Sequence, residues 1–214
     1  MSDLNTNRFQ TPNTRRKSMI RRITSAAILT ALSVILMYLE VALPLMPPFL
    51  KFDFSEIPVL IGSFALGPLY GVIIELLKNL IHLPVSATSG IGEMSNFITG
   101  SIYVGIAGLI YNRLRTRKGA IFSMLIATLC LTAIAIPLNY WVTLPLYASV
   151  LGFSTEAVIG MSAAVNSLIT SKWTLIFWGF VPFNMFKGIV VAIVTFFIYK
   201  PISRLINKTY EETR

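Results

Sequence analysis

Long apolar runs make up most of the chain, and its charges are pushed to the edges of those runs. This arrangement limits the fold more than any other feature. A run of about 20 apolar residues matches the roughly 30 Å of hydrocarbon that a helix rising 1.5 Å per residue must cross. Only 13% of the 214 residues are charged and 55% are hydrophobic. An ordinary soluble domain carries about 25% charged residues, so composition argues against a water-soluble enzyme and against disorder. The reading is an all-α membrane protein built as one domain.

Six transmembrane helices are predicted, at Ile23–Leu43, Ile57–Leu66, Leu69–Leu83, Met94–Tyr111, Ala120–Leu146 and Phe180–Tyr199. Pro44 ends the first, and Pro47-Pro48 follow in a short, partly apolar loop over 45–53. Ser55-Glu56 reads as a helix start with an acid in its first turn. Gly67-Pro68 separates spans two and three, which are both short for a crossing and are read as tilted or flanking a cavity. Residues 84–92 read as a polar loop. Pro137 predicts a kink, Ser154-Thr155-Glu156 the cap of a short helix, Trp173 and Trp178 an interfacial belt, and Pro201 the end of span six. The domain reading is a basic tail over 1–20, a six-helix membrane domain over 21–205 and a short tail over 206–214.

The basic residues fix an expected orientation. Arg8, Arg15, Arg16, Lys17, Arg21 and Arg22 precede span one. Arg113, Arg115, Arg117 and Lys118 lie between spans four and five. Lys200, Arg204, Lys208 and Arg214 close the chain. The other loops carry only Lys51 and Lys172, against Asp53, Glu56, Glu93 and Glu156. Positive charge in loops that stay in the cytoplasm accounts for this pattern. It predicts both termini cytoplasmic and a lipid bilayer, not nucleic acid, as the surroundings of the net +9 charge. The polar leader and the first run are both too long for a cleaved signal. Cys130, the only cysteine, reads as a small buried hydrophobe.

Ionisable residues inside spans are costly and often functional. Here they are Glu40, Glu75, Lys78 and Lys187, with His82 near a span end. At 1.5 Å per residue, Glu40 stands about 27 Å up span one and Asn139 about 30 Å up span five, while Asn184 and Lys187 lie about 6–10 Å below the outer end of span six. These four can meet near the outer surface, beneath the first loop. Enclosed by Leu43, Leu45, Phe49, Tyr140 and Phe183, they would make an apolar pocket with a few placed polar groups. A structural Glu40–Lys187 ion pair with snorkelling amides stands equally open on the residues alone. Glu75 and Lys78, three apart on one helix, are expected to neutralise each other. His82 is a lone histidine and no metal site is expected. Ala27 and Ala31 form a small-xxx-small pair that suits either internal packing or a partner helix. Gly90-Ile91-Gly92-Glu93 reads as a flexible turn. No P-loop, HExxH or GxSxG motif occurs, so neither reaction chemistry nor a cofactor is expected.

Several blocks together carry a family resemblance. Lys51-Phe52-Asp53-Phe54-Ser55-Glu56-Ile57-Pro58 leads to Gly67-Pro68 and Gly71, then to Glu75-Leu76-Leu77-Lys78-Asn79. Gly90-x-Gly92-Glu93 with Asn96-Phe97, and Phe183-Asn184-x-x-Lys187-Gly188, follow. Over about residues 20–205 the chain resembles the riboflavin-specific S components (the RibU family) of energy-coupling factor (ECF) transporters. The resemblance implies an S-component fold with an outward-opening vitamin pocket roofed by the first loop. It implies Glu40, Asn139, Asn184 and Lys187 as polar flavin contacts, and Ala27 and Ala31 as the face towards a transmembrane coupling subunit (EcfT). Two cytosolic ATPases (EcfA and EcfA') would then supply the energy that this chain has no motif to supply, and the S component would tumble in the membrane to deliver its vitamin. Lys187 is the only cation expected near the pocket, which favours neutral riboflavin over flavin mononucleotide (FMN). Another vitamin, or a membrane role with no ligand, are the alternatives.

Overall fold

The computed structural model describes residues 12–211; the expected tail segments 1–11 and 212–214, with Arg8 and Arg214, lie outside the described residues. Helix α1 (Pro12–Tyr38) is followed by a two-residue strand β1 (Val41–Ala42) and its partner β2 (Lys51–Phe52). Helices α2 (Glu56–Leu66), α3 (Pro68–His82) and α4 (Ile91–Leu114) come next. Helix α5 (Arg117–Leu138) passes without a break into α6 (Leu144–Leu151), and the short α7 (Thr155–Ala163) follows. The last continuous element joins α8 (Lys172–Leu175) to α9 (Val181–Glu211).

The surface and interior are inverted relative to a soluble protein. Ser33, Ser63, Glu75, Lys78 and Ser123 are fully buried, whereas Phe197 on α9 is 74% exposed and Ile28, Leu32, Leu80, Leu129 and Ile193 all face outwards. Apolar exterior with hydrogen-bonded polar groups inside is what a hydrocarbon solvent selects, because unsatisfied polar groups cost most there. Among the described residues, five helical stretches are long and apolar enough to cross a membrane: Met19–Tyr38, Pro68–Val85, Ile91–Leu114, Arg117–Leu151 and Lys172–Ile202. Glu56–Leu66 is apolar but shorter. The chain is a multi-pass membrane protein.

The short α2 is the inner helix. All its residues but Ala65 are buried, and α1, α3, α4 and α9 pack around it. It turns into α3 through Gly67 alone, at φ 110°, a conformation that a residue with a Cβ avoids. Gly71 then lets the two helices close up, since a Cβ there would stand 2.7 Å from that of Ser63. The second and third predicted spans are therefore a tight helical hairpin whose first arm is wrapped by protein.

Several boundaries differ from the sequence reading. Span one ends at Tyr38, five residues before Leu43, because residues 41–42 pair antiparallel with 51–52 (Val41 opposite Phe52). The first loop is thus a small hairpin, and the molecule is not wholly α. Helix α4 starts at Ile91, so the preceding loop is shorter than predicted. The last element starts eight residues early, at Lys172. Ser171 Oγ accepts from the Thr174 N–H at 3.3 Å and Thr174 Oγ1 accepts from the Ser171 N–H at 2.7 Å, a reciprocal cap. Nor does Pro201 stop it, since the helix runs on to Glu211; neighbouring turns tolerate the lost bond. Residues 12–20 and 206–211 of the expected tails are helical. The predicted cap at Ser154 is present, its Oγ accepting from the Ala157 N–H at 3.2 Å.

Two wide, π-type turns interrupt the long helices. After Pro137 the chain widens over Asn139–Thr143, and Leu144 N–H reaches back five residues to Asn139 O. Ile176–Phe180 does the same before α9, and the two wide turns pack against each other. Turns of this kind often mark functional sites.

Candidate ligand-binding site

Connectivity puts the basic segments at one end of the bundle. The starts of α1 and α5 and the ends of α4 and α9 lie there. At the other end the β hairpin, the end of α3, the first half of α4 and the two wide turns surround a cavity of about 160 Å³. Its apolar wall includes Met37, Phe49, Leu50, Tyr147, Phe180 and Phe183. Phe49 packs edge-on to Tyr147 at 5.8 Å and lies 6.0 Å from Phe180.

Two amides stand in the wall of this space. Asn139 Nδ2 donates to Ala135 O at 2.7 Å and Asn184 Nδ2 donates to Phe180 O at 2.8 Å, each four residues back on its own helix. One proton of each NH₂ is thereby committed, and the nitrogen rather than the carbonyl oxygen faces the helix ladder. Asn139 Oδ1 is buried without any hydrogen-bond partner. Burying such an acceptor costs about 1–3 kcal/mol, a cost that a ligand donor would remove.

Lys187, on the same wall, donates to Asp53 Oδ2 and to Asn96 Oδ1, both at 3.2 Å, and lies 3.8 Å from Glu56 Oε1. Behind it Lys78 donates to Glu56 Oε1 at 2.6 Å and to Ser55 Oγ at 2.9 Å, and its ammonium lies 2.9 Å from Glu75 Oε2 as an ion pair. Asn79 Nδ2 bonds Glu75 Oε1 at 2.9 Å, and Asn96 Nδ2 bonds Asn79 Oδ1 at 3.1 Å. Burial opposes charge on Asp53, but Lys187, Lys78 and hydrogen bonds from Ser55 outweigh it and hold its carboxyl below the ordinary value. Nearer the hairpin, His82 Nδ1 and Glu93 Oε1 stand 2.9 Å apart, both in the cavity wall. Glu40 also lines the cavity and forms a half-exposed ion pair with Lys51 at the foot of the hairpin.

The structure brings Glu40, Asn139, Asn184, Lys187, Phe49 and Phe183 to one cavity. It does not pair Glu40 with Lys187: each has its own partner, because Asp53 reaches Lys187 first from the chain just before α2. Glu75 and Lys78 do meet, yet Lys78 is shared with Glu56. Leu43, Leu45 and Tyr140 do not line the cavity. Leu45 is 71% exposed, at φ 63° in the hairpin tip, and Tyr140 stacks on Trp173 at 4.4 Å with Lys172 over its ring. Ala27 and Ala31 lie on the exposed side of α1, opposite the buried Ala26, Leu29, Thr30 and Ser33. Sequence reasoning missed Asp53, Glu56, His82, Glu93 and Asn96 as cavity residues. A signal for them existed. Glu75, Lys78, Asn79 and His82 on α3, and Glu93, Asn96 and Thr99 on α4, are polar at helical spacing on otherwise apolar helices.

A membrane-embedded helical bundle with a half-apolar cavity, bordered by a hairpin and lined by anchored amides, defines a binder of small molecules. The family model for the ECF transporter substrate-specific component matches residues 21–199, and the chain belongs to this family. It is 32% identical over 188 residues to the riboflavin transporter RibU of Staphylococcus aureus (strain TCH60), covering 88% of this chain and 93% of that protein. The riboflavin transporter FmnP of Bacillus subtilis (strain 168) is 28% identical over 183 residues, 84% and 90% of the two chains. A solved structure of the S component of a bacterial ECF transporter superimposes with a TM-score of 0.69 at 31% identity, covering 88% of this chain and 98% of that one.

Proposed function

We propose that this chain is the riboflavin-binding S component of an ECF-type ABC vitamin uptake transporter in a prokaryotic cytoplasmic membrane. The observation that carries the reading is the pair of anchored amides, Asn139 and Asn184, beside Lys187 in an aromatic-walled cavity. A flavin ring is flat and apolar on its faces, and one edge alternates donors and acceptors. Phe49, Phe180, Phe183 and Tyr147 suit the faces. The free amide oxygens suit a ring N–H, and the third Lys187 proton suits a ring carbonyl. Relatives named riboflavin transporters, matched along most of their length, support the same ligand.

The membrane course in this reading has six crossings, with α2 as the short second one. Both termini are cytoplasmic, which follows from the basic ends of α1, α4, α5 and α9, and the cavity opens outwards. The energy for inward release comes from partners, a membrane coupling subunit (EcfT) and two cytosolic ATPases (EcfA and EcfA'). The exposed Ala27–Ala31 face of α1 is where a partner helix can approach closely. A titration tests the ligand. Riboflavin fluorescence should be quenched saturably by the detergent-solubilised chain at one site per chain, with thiamine inert. Absence of quenching by a folded sample overturns the riboflavin assignment.

A further inference from the structure

The Lys187 ammonium carries three protons, and the direction of the one left for a ligand depends on where the other two go. A lysine head group is a rotor on a flexible stem. Here Asp53 Oδ2 takes one proton and Asn96 Oδ1 a second, both at 3.2 Å. Glu56 Oε1, at 3.8 Å, is beyond hydrogen-bond reach. Two fixed bonds on a tetrahedral nitrogen set the line of the third. The aim of Lys187 therefore depends on Asn96 presenting its oxygen and not its NH₂.

An amide can exchange O for NH₂ by turning over, with almost no change in shape. Asn139 and Asn184 are each held by a carbonyl four residues back on their own helix. Asn96 is the exception, because its NH₂ donates to another helix, to Asn79 Oδ1 of α3 at 3.1 Å. Asn79 is 3% exposed and takes no part in the cavity wall. Its own NH₂ has two protons and finds two acceptors, Glu75 O at 2.8 Å and Glu75 Oε1 at 2.9 Å. Lys78 holds that carboxylate from its other side, 2.9 Å from Oε2. Asn79 cannot turn over without setting its oxygen against the oxygens of Glu75. Its Oδ1 must then face Asn96, and Asn96 must turn its own oxygen to Lys187. The bonds run from an acceptor-only carboxylate to a donor-only ammonium through two amides, and each amide has one permitted orientation.

We infer that Asn79 is a positioning residue for ligand binding: it acts through Asn96 to aim the free proton of Lys187 into the cavity, and does not itself touch the ligand. The inference rests on the riboflavin reading above. Turned over, Asn96 would set an NH₂ against the ammonium, donor against donor. Lys187 would keep Asp53 alone, and its other two protons would swing about that bond.

The test is a pair of double-mutant cycles, read by riboflavin fluorescence on the full-length chain in detergent. Asn79→Thr withdraws the oxygen from Asn96 but leaves a hydroxyl that can bond the Glu75 carbonyl, as Thr128 and Thr132 bond the carbonyls four residues before them at 2.8 Å. It should weaken riboflavin about 3- to 10-fold, the worth of one hydrogen bond. Asn79→Ser, with the same hydroxyl, is the second variant and should do the same. Asn96→Ala should cost a similar factor, and adding Asn79→Thr to it should move the Kd by less than about twofold. The same should hold when Asn79→Thr is added to Lys187→Met with Asp53→Asn, where no buried charge is stranded. A residue that only supports the fold would cost its full factor in every background, and that result overturns the positioning role. A parent Kd in both Asn79→Thr and Asn79→Ser overturns it too. If the Lys187 background binds no riboflavin, the Asn96 cycle decides alone. An unmodified chain that binds no riboflavin overturns the riboflavin reading, and the role of Asn79 with it.

Discussion

Replacing Asn139 by Leu separates a binding role from a structural one with unusual sharpness. The side chains are nearly equal in size. In the unliganded chain Asn139 makes one bond, Nδ2 to Ala135 O, and leaves Oδ1 buried and unpaired. Losing the bond costs about 0.5–1.5 kcal/mol, and removing the orphaned acceptor returns about 1–3 kcal/mol. The two largely cancel, so the thermal midpoint of the empty protein should hold or rise. Binding behaves differently. The ligand donor that Oδ1 awaits is lost, at about 1–3 kcal/mol, or roughly 5- to 150-fold in Kd. Riboflavin quenching titrations and thermal unfolding on the same preparation read both quantities. A Kd unchanged in Asn139→Leu would remove this amide from the site. A Kd and a midpoint that fall together would make it a structural residue and refute the reasoning.

Lys187→Met strands Asp53 in a buried site and should destabilise by about 3–5 kcal/mol. Adding Asp53→Asn should recover much of that loss, and strictly additive unfolding energies would refute the coupling. The depressed Asp53 carboxyl binds its proton more weakly folded than unfolded. Its stabilisation is complete above the unfolded value of about 3.9 and is lost as pH falls through the folded one. Melting between pH 5 and 3 should therefore be less steeply acid-dependent in Asp53→Asn than in the parent, and parallel profiles would contradict this. Ala27→Trp, on the exposed face of α1, should keep the parent Kd for riboflavin but abolish uptake by cells expressing the complete transporter; normal uptake would place the partner contact elsewhere.

Helix positions were legible because hydrocarbon imposes length and composition on every crossing. The start of α7 and the break at Gly67 came from local capping and glycine chemistry and were equally readable; α2 starts where Ser55-Glu56 predicted, but Ser55 makes no side-chain cap and its N–H goes to Asp53 Oδ1. Misplaced boundaries share a cause. Apolar residues such as Val41, Ala42 and Phe52 read as span or loop by hydropathy, but they pair in a hairpin whose register depends on contacts between residues nine and eleven apart. For the cavity, helical rise was enough to bring Asn139, Asn184 and Lys187 to one height. It could not choose a partner for each charge. Lys187 selected Asp53 over Glu40 because α2 lies at the centre of the bundle, a fact of packing that no single helix displays.

The wrapped α2 also bears on how the protein enters the membrane. At 11 residues and 1.5 Å each it is about 16 Å long, half a hydrocarbon layer. An insertion machinery that weighs segments one by one would not retain it alone. Its turn into α3 sits beside Gly108 of α4, where a Cβ would come within 3.1 Å of Pro68. Gly108 is six residues, about 9 Å, short of the basic end of α4 at Leu114. So α2 has to enter with α3 as one hairpin, its turn packed on α4. Its final seat forms only when α4 and α9, synthesised later, close around it. Assembly of the core is thus deferred to the end of translation, and truncations before α9 should leave α2 and its buried Glu56 without a home.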